Sequence, residues 1–486
     1  MGGCTIYQPR RNGPKQLRLD SEQLVGHARG MANPTLQATA AALSSSEQVL
    51  LTLPFVGLLL SIALFPLLAS HVWERRFASI TAAWGLAFVV PYAVIHGWSA
   101  GAHGIAHALL LDYVPFIILL FALFVVAGGI RLVGNLTGDP KTNLMLLAGG
   151  TVLASALGTT GAAMLVIRPL IRANEARRHK THVFVFFIFL VANIGGSLTP
   201  LGDPPLFLGF LRGIDFTWTL ETMLPPMGLA STILLVLFFA LDSWFWRKDC
   251  AVYPESALPR SLRVEGRHNG FYLLAIIAMV LVSGLWRSDT AVPVGFGVSM
   301  PLEGLVRDGV LLVLGLLSWL TTRRQIRIEN AFNWLPIREV AILFLGIFVT
   351  IIPVLELLQS GPAGPAAPLL GLVFRGDGQP VDWAFFWLTG LLSSVLDNAP
   401  TYLVFFNLAG GDPNALMGVL GRTLLAISMG AVFMGANTYL GNAPNFMIKA
   451  ICEEQGIRMP SFFGYMAWSG AILLPLFGFL TWIFFR

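Results

Sequence analysis

The stretch Asn193-Ile-Gly-Gly-Ser-Leu-Thr-Pro-Leu-Gly-Asp-Pro-Pro-Leu-Phe-Leu-Gly209 interrupts a run that is otherwise apolar enough for a membrane. A continuous transmembrane helix does not hold Thr199-Pro200, Gly202-Asp203 and Pro204-Pro205 in succession. Proline removes backbone donors, and a carboxylate near the bilayer centre costs about 2.5–3.5 kcal/mol on insertion scales. Irregular backbone at that depth persists only where it lines a cavity or is buried in protein. The stretch reads as a deliberate break in a spanning helix.

The pattern returns 239 residues later. Gly196-Ser-Leu-Thr-Pro-Leu-Gly-Asp-Pro-Pro-Leu-Phe-Leu208 overlies Gly435-Ala-Asn-Thr-Tyr-Leu-Gly-Asn-Ala-Pro-Asn-Phe-Met447 with six of thirteen positions identical, where composition alone supplies about one. At the same offset Ser155-Ala-Leu-Gly-Thr-Thr-Gly161 overlies Ser394-Val-Leu-Asp-Asn-Ala-Pro400. Paired interruptions in two halves of an apolar chain are the sequence mark of a secondary transporter's site.

Across the whole chain, 486 residues at 55% hydrophobic and 12% charged predict an all-α polytopic membrane protein. The net charge of +5 sits in short loops between spans, as membrane topology places it, and points to no nucleic-acid partner. Cys4, Cys250 and Cys452 have no ligand spacing and imply neither disulfides nor a metal cluster. Residues 1–48 are polar, without an apolar core for a signal peptide, and read as a disordered tail. Ile6 breaks the myristoylation pattern that Met1-Gly2-Gly3-Cys4 begins. Met31, with no Lys or Arg between it and the first span, suits a translation start better than Met1.

Apolar spans lie near 49–70, 77–96, 109–130, 183–212, 222–246, 270–287, 305–322, 339–359, 416–447 and 461–484, with two further segments, 142–167 and 381–406, broken in the middle. Loops 168–182, 247–268 and 323–338 are rich in Arg and Lys and are expected on the cytoplasmic side. Segment 142–167 has basic residues at both ends, so it is expected to dip in and return as a re-entrant hairpin. Its counterpart 381–406 is followed by 407–421, where the first basic residue after the segment is Arg422, and is expected to enter from outside. Equivalent loops of opposite charge character predict two inverted repeats, 49–246 and 270–486, joined by a cytoplasmic linker, 247–269, with about ten crossings, two hairpins and two broken helices.

The breaks carry the candidate chemistry. Asp203-Pro204-Pro205, Asn398-Ala399-Pro400 and Asn442-Ala443-Pro444 each look like a capping residue before a helix-starting proline, and both asparagines are expected to cap. A half-helix starting in mid-membrane also presents free N–H groups, while the half-helix before it offers free carbonyls to a cation. Asp203 and Asp397 are the carboxylates within the breaks and the candidate sites for sodium or a proton. Thr159, Thr160, Ser197, Thr199, Asn398, Thr401, Asn437, Thr438 and Asn442 supply neutral oxygens and amides around them. Outside the breaks, Asp112 in the third span is a further intramembrane carboxylate, Glu356 reads as interfacial, and His103 and His107 stand at i, i+4 without a third ligand. Arg168 and Arg172, after the first hairpin, read as topology anchors.

These strings, Gly158-Thr-Thr-Gly161, Gly195–Gly209, Asp397-Asn-Ala-Pro-Thr401 and Gly441-Asn-Ala-Pro-Asn445, resemble the ion transporter superfamily over roughly residues 49–486, and within it sodium:proton antiporters and citrate-transporter-like (CitMHS-type) proteins of bacteria. The resemblance implies two inverted halves, a homodimer in the bacterial inner membrane, and no cofactor beyond Na+ and H+ as transported or coupling ions. Dicarboxylate carriers of the superfamily hold a Ser-Asn-Thr triplet at each hairpin tip. Here the tips read Thr159-Thr160-Gly161 and Asp397-Asn398-Ala399, and the triplet is absent. An aspartate at a tip repels a dianion unless a proton or cation neutralises it. The expectation is sodium/proton antiport by alternating access, with sodium- or proton-coupled transport of citrate or a related carboxylate as the alternative. An intramembrane aspartyl protease, with Asp203 and Asp397 as its dyad, is a third and remote reading.

Overall fold

The computed structural model describes residues 45–134, 136–249, 262–359 and 364–486. The tail reading, the Met31 start, Cys4 and Cys250 lie outside the described residues, as does most of the linker.

The chain is mostly helical. α1 (Ser45–Leu68) and α2 (Ser70–His96) are followed by α3 (Trp98–His107), which passes through a π turn, Ala108–Tyr113, into α4 (Val114–Gly128). The apolar pattern placed the start of this span at 109; the helix begins at Trp98, about three turns earlier, and takes His103 and His107 with it. α5 (Pro140–Leu157) and α6 (Thr159–Ala173) form the first broken pair. Asp139 caps α5 by accepting from the Thr142 N–H at 2.9 Å, ahead of Pro140 at the first helical position. α7 (Thr181–Leu190) and α8 (Pro204–Leu211) flank the Asn193–Gly209 break, and α9 (Phe216–Asp249) completes the first half.

The second half holds α10 (His268–Leu285), α11 (Leu302–Thr321), the short α12 (Arg324–Glu329), α13 (Leu335–Thr350), α14 (Ile352–Gln359) and α15 (Ala367–Val373). α16 (Asp382–Leu396) and α17 (Asn398–Leu408) follow, then α18 (Pro413–Met417), α19 (Gly421–Met434), α20 (Ala443–Glu454) and α21 (Phe462–Phe484). Strand β1 (Arg131–Gly134) pairs antiparallel with β2 (Leu262–Glu265), and β3 (Ala291–Gly295) with β4 (Val298–Pro301). Among the described residues seven helices are long and apolar enough to cross a membrane, and α13 with α14, bent by 41°, makes an eighth.

Two hydrophobic cores organise these helices. The first gathers α5, α6, α7, most of α9, α16 and α19–α21. α7 is apolar all round, and every residue from His182 to Leu190 is buried, as a helix with no polar face must be. The second core gathers α1, α4, α10, α11 and α13. α8 and α17 lie on the seam: Leu206 and Tyr402 pack into the first core, while Phe207, Leu208, Phe210, Ala399 and Leu403 pack into the second. Because lipid tails are as apolar as leucine, close packing and buried hydrogen bonds hold such cores together, more than hydrophobic transfer does.

One end of the first core is tied by charge. Arg177, read from the sequence as a loop charge, is buried: its Nη1 lies 2.5 Å from Asp242 Oδ1 and its Nε 3.4 Å from Asp249 Oδ2. His182 Nε2 and Asn143 Nδ2 reach the same Asp242 at 2.8 and 3.0 Å. The loop between α6 and α7 is thereby fastened to α9.

Candidate functional site

The two breaks in each half are stapled to each other by hydroxyls, and the staples recur at the 239-residue offset. Thr199 Oγ1 donates to the Ser155 carbonyl at 2.5 Å, and Thr438 Oγ1 to the Ser394 carbonyl at 2.6 Å. Ser155 Oγ donates to the Gly195 carbonyl and Ser394 Oγ to that of Met434. Thr199 also accepts from the Leu201 N–H, and Thr438 from the Leu440 N–H. Each of these bonds occupies a backbone group that an interrupted helix leaves free in a place water does not reach. The turns are tight: a Cβ on Gly202 would collide with the Gly196 carbonyl, and one on Gly441 with that of Gly435.

At the meeting point stands Asp203, buried, with three donors on its carboxylate. Thr159 Oγ1 donates to Oδ1 at 3.2 Å, Asn442 Nδ2 donates to the same oxygen at 3.3 Å, and Asn398 Nδ2 donates to Oδ2 at 2.5 Å. The Thr159 N–H is bonded to the Gly202 carbonyl at 2.9 Å, which fixes the start of α6 against the break. Thr159 and Asn398 are 239 residues apart, and so are Asp203 and Asn442. The carboxylate and its three donors thus make up two residue pairs related by the same offset. The Asn398 amide oxygen is buried and has no hydrogen-bond partner, so a lone pair remains next to the carboxylate. Among the described residues no Lys, Arg or His bonds to Asp203 or Asp397.

The other expected residues divide. Asp397 is half-buried; its Oδ1 accepts from the Asn398 N–H at 2.7 Å and its carbonyl accepts from Thr401 Oγ1 at 2.8 Å. Asn437 Nδ2 donates to Ser394 Oγ at 2.9 Å, and its own Oδ1 is buried without a partner. Ser197 Oγ donates to the Ile194 carbonyl, and Thr199 and Thr438 are taken up in the staples, so these three act on backbone instead of on the carboxylate. Thr160 is half-buried and is not among the three donors on Asp203.

Neither asparagine caps a helix with its side chain, contrary to the expectation from sequence. Asn442 and Asp203 both hold the extended backbone of an N-cap, yet neither side chain caps its helix, and Asn398 is the first residue of α17, whose cap is Asp397. The reason is competition: a side chain facing a buried carboxylate gains a charge-assisted hydrogen bond, stronger than one to a neutral N–H. Asp203 and Asp397 share no hydrogen bond, which an aspartyl dyad sharing a proton requires.

Two asparagines escaped the sequence reading. Asn193 Nδ2 donates to Asn445 Oδ1 at 2.8 Å, linking one broken span directly to the other. Asn445 Nδ2 in turn donates to the Gly435 and Thr438 carbonyls, and Asn193 Oδ1 accepts from Asn442. The residues at the repeat offset from Asn193 and Asn445 are Val432 and Leu206, so no self-comparison of the chain marks them.

A family described as "Putative citrate transport" matches residues 44–485, a span that takes in Asp203, its three donors and Asp397. The chain belongs to that family. Similar proteins include uncharacterized transporters of Mycobacterium bovis and Mycobacterium tuberculosis, each 24% identical over 422 residues, covering 82% of this chain and 91% of theirs. A 46 kDa membrane protein of Mycobacterium leprae is 23% identical over 418 residues with the same coverage. Membership, together with seven or eight apolar spans, makes this a multi-pass integral membrane protein of the citrate-transporter-like group, and points to transport instead of catalysis.

Proposed function

We propose that the protein is a secondary active transporter of two inverted repeats, 49–246 and 270–486, working by alternating access with a cation bound at Asp203. In this reading the eight apolar spans are joined by two broken ones, α7–α8 and α19–α20, to make ten crossings, and α5–α6 and α16–α17 are the re-entrant hairpins. The recurrence of the hydroxyl staples at one offset supports the repeat. The protein is expected in the inner membrane of a bacterium, as a homodimer.

The observation that carries the ion assignment is the make-up of the Asp203 shell. A buried carboxylate held by one hydroxyl and two amides, with no basic side chain bonded to it, needs a cation or a proton for neutrality. Sodium and hydrogen ions would compete for it, so that each displaces the other, which is sodium/proton exchange. Family membership favours a second reading on the same scaffold, in which the neutralised Asp203 and the half-helix N-termini admit citrate or a similar carboxylate together with its coupling ion.

Purified protein in liposomes separates the two. A pH-sensitive dye follows proton efflux driven by sodium, and labelled citrate follows uptake under an imposed sodium or pH gradient, each with and without Asp203→Asn. Sodium-driven proton movement lost in the variant supports exchange; gradient-driven citrate uptake lost in the variant supports the second reading. Fluxes indifferent to the substitution would remove Asp203 from the mechanism. Single-cysteine labelling that put 168–182 and 407–415 on one side of the membrane would end the inverted arrangement.

A further inference from the structure

The seam between the two cores is crossed by an ion pair that the transport site does not use. Arg212 closes α8, the half-helix whose other end is Asp203, and its Nη2 lies 2.8 Å from Asp112 Oδ2. α8 is bracketed in the chain by α7 and α9, which pack in the first core. Asp112 belongs to the second body: it sits in the π turn between α3 and α4, and the neighbouring Tyr113 hydroxyl donates to the Ala341 carbonyl of α13. A π turn inserts one extra residue into a helix and re-aims the side chains beside it, a distortion kept mostly where a side chain has work to do. Arg212 Nε is buried without a partner, so the guanidinium is held by this contact more than by its surroundings. Three residues on, Asp215 pairs with Arg287, which follows α10 of the second body, at 3.2 Å.

The contact is one-sided. At the repeat offset, Asp112 is matched by Ile351, at the bend between α13 and α14, and Arg212 by Ile451 in α20. Where one half has a carboxylate and a guanidinium, the other has two isoleucines. If the two bodies slide to expose the site alternately to each face, a symmetric seam would leave both exposures close in energy. A charge pair at one end alone lowers the state in which it is made.

Resting on the alternating-access reading above, we infer that Arg212 and Asp112 form a latch that sets which face the empty carrier prefers. The pair is made in the present state and breaks when α8 moves along the seam. Its removal shifts the equilibrium without altering the ion site, which lies at the opposite end of α8.

The test reads the seam directly, so it does not depend on which solute is carried. In a background with Cys4, Cys250 and Cys452 replaced by Ala, Leu208→Cys places a thiol on the face of α8 buried in the seam. Alkylation by a water-soluble maleimide in substrate-free liposomes is followed for this parent, for Asp112→Asn, for Arg212→Gln and for the charge exchange Asp112→Arg with Arg212→Asp. The single variants are expected to react roughly tenfold faster, within the ordinary range of coupling between sites, and the exchange to restore the parent rate. Unchanged alkylation in the folded single variants, or a charge exchange that leaves the rate as high as in them, would overturn the latch. A shift in alkylation from a protein that moves neither sodium, protons nor citrate would uphold the latch while the ion assignment fell.

Discussion

Gly158 and Asp397, 239 residues apart, hold the same backbone conformation, φ 77° and ψ 153° at the first, φ 75° and ψ 147° at the second. Each is the single residue between two helices, α5 and α6 or α16 and α17, and each turns the chain at a tip. Glycine takes this conformation freely; a residue with a Cβ pays about 1–3 kcal/mol. Asp397 remains there because its carboxylate accepts the Asn398 N–H, and Asn398 holds Asp203.

That strain predicts an order of stabilities. Asp397→Gly and Asp397→Ala both lose the capping bond, so their difference isolates the backbone. The glycine variant is expected to be the more stable by about 1 kcal/mol, read as a higher Tm in detergent. Gly158→Ala, where a Cβ has ordinary room beside the Leu201 carbonyl, is expected to lose about 1–3 kcal/mol from conformation alone.

Asp203→Asn keeps the shape of the site but not its chemistry. Three donors converge on the carboxylate, and an amide offers them one oxygen and opposes them with an NH2. Ion-coupled flux in liposomes is expected to fall by at least about 100-fold, and stability by about 1–3 kcal/mol for the donor left unsatisfied. Wild-type flux in the variant would mean that the coupling ion binds elsewhere.

The staples should prove equivalent. Thr199→Val and Thr438→Val each strip a buried carbonyl of its donor, Ser155 in one half and Ser394 in the other. Each is expected to cost about 1–3 kcal/mol, and the two values to agree within about 1 kcal/mol, by thermal melting of the purified protein. A large disparity would show that the two halves do not bear load alike.

The buried charges at the α6–α7 loop respond differently. Asp242→Asn leaves buried Arg177 with only the longer, 3.4 Å contact to Asp249 and is expected to cost about 3 kcal/mol, because most of its compensation is lost. Arg177→Met combined with Asp242→Leu removes both charges but leaves Asp249 to His179 alone and His182 and Asn143 without their acceptor, so it is expected to recover only part of that loss. Yield of folded protein by size-exclusion chromatography, with Tm, checks both.

Much of this architecture was legible in the residues. Pro200, Pro204 and Pro205 announce a broken span because a missing N–H and a fixed φ act within one turn. The match of Gly196–Leu208 to Gly435–Met447 located Asp203 and Asn442, and that of Ser155–Gly161 to Ser394–Pro400 located Thr159 and Asn398. Capping was misjudged at Asn398 and Asn442, since the local rule weighs a side chain only against its own helix and not against a carboxylate brought from 195 or 239 residues away. Arg177 read as a loop charge for a similar reason: the carboxylate that buries it stands 65 residues further on.

By itself the sequence determined where helices span, where they break and which positions recur, because apolar length, proline and glycine act through neighbours in the chain. Tertiary structure alone decided that Thr159, Asn398 and Asn442 aim at the same carboxylate, that Asn193 bonds Asn445, and that a π turn brings Asp112 to Arg212. A hydrogen bond depends on the direction and distance of two groups at once, and no spacing along the chain carries that information.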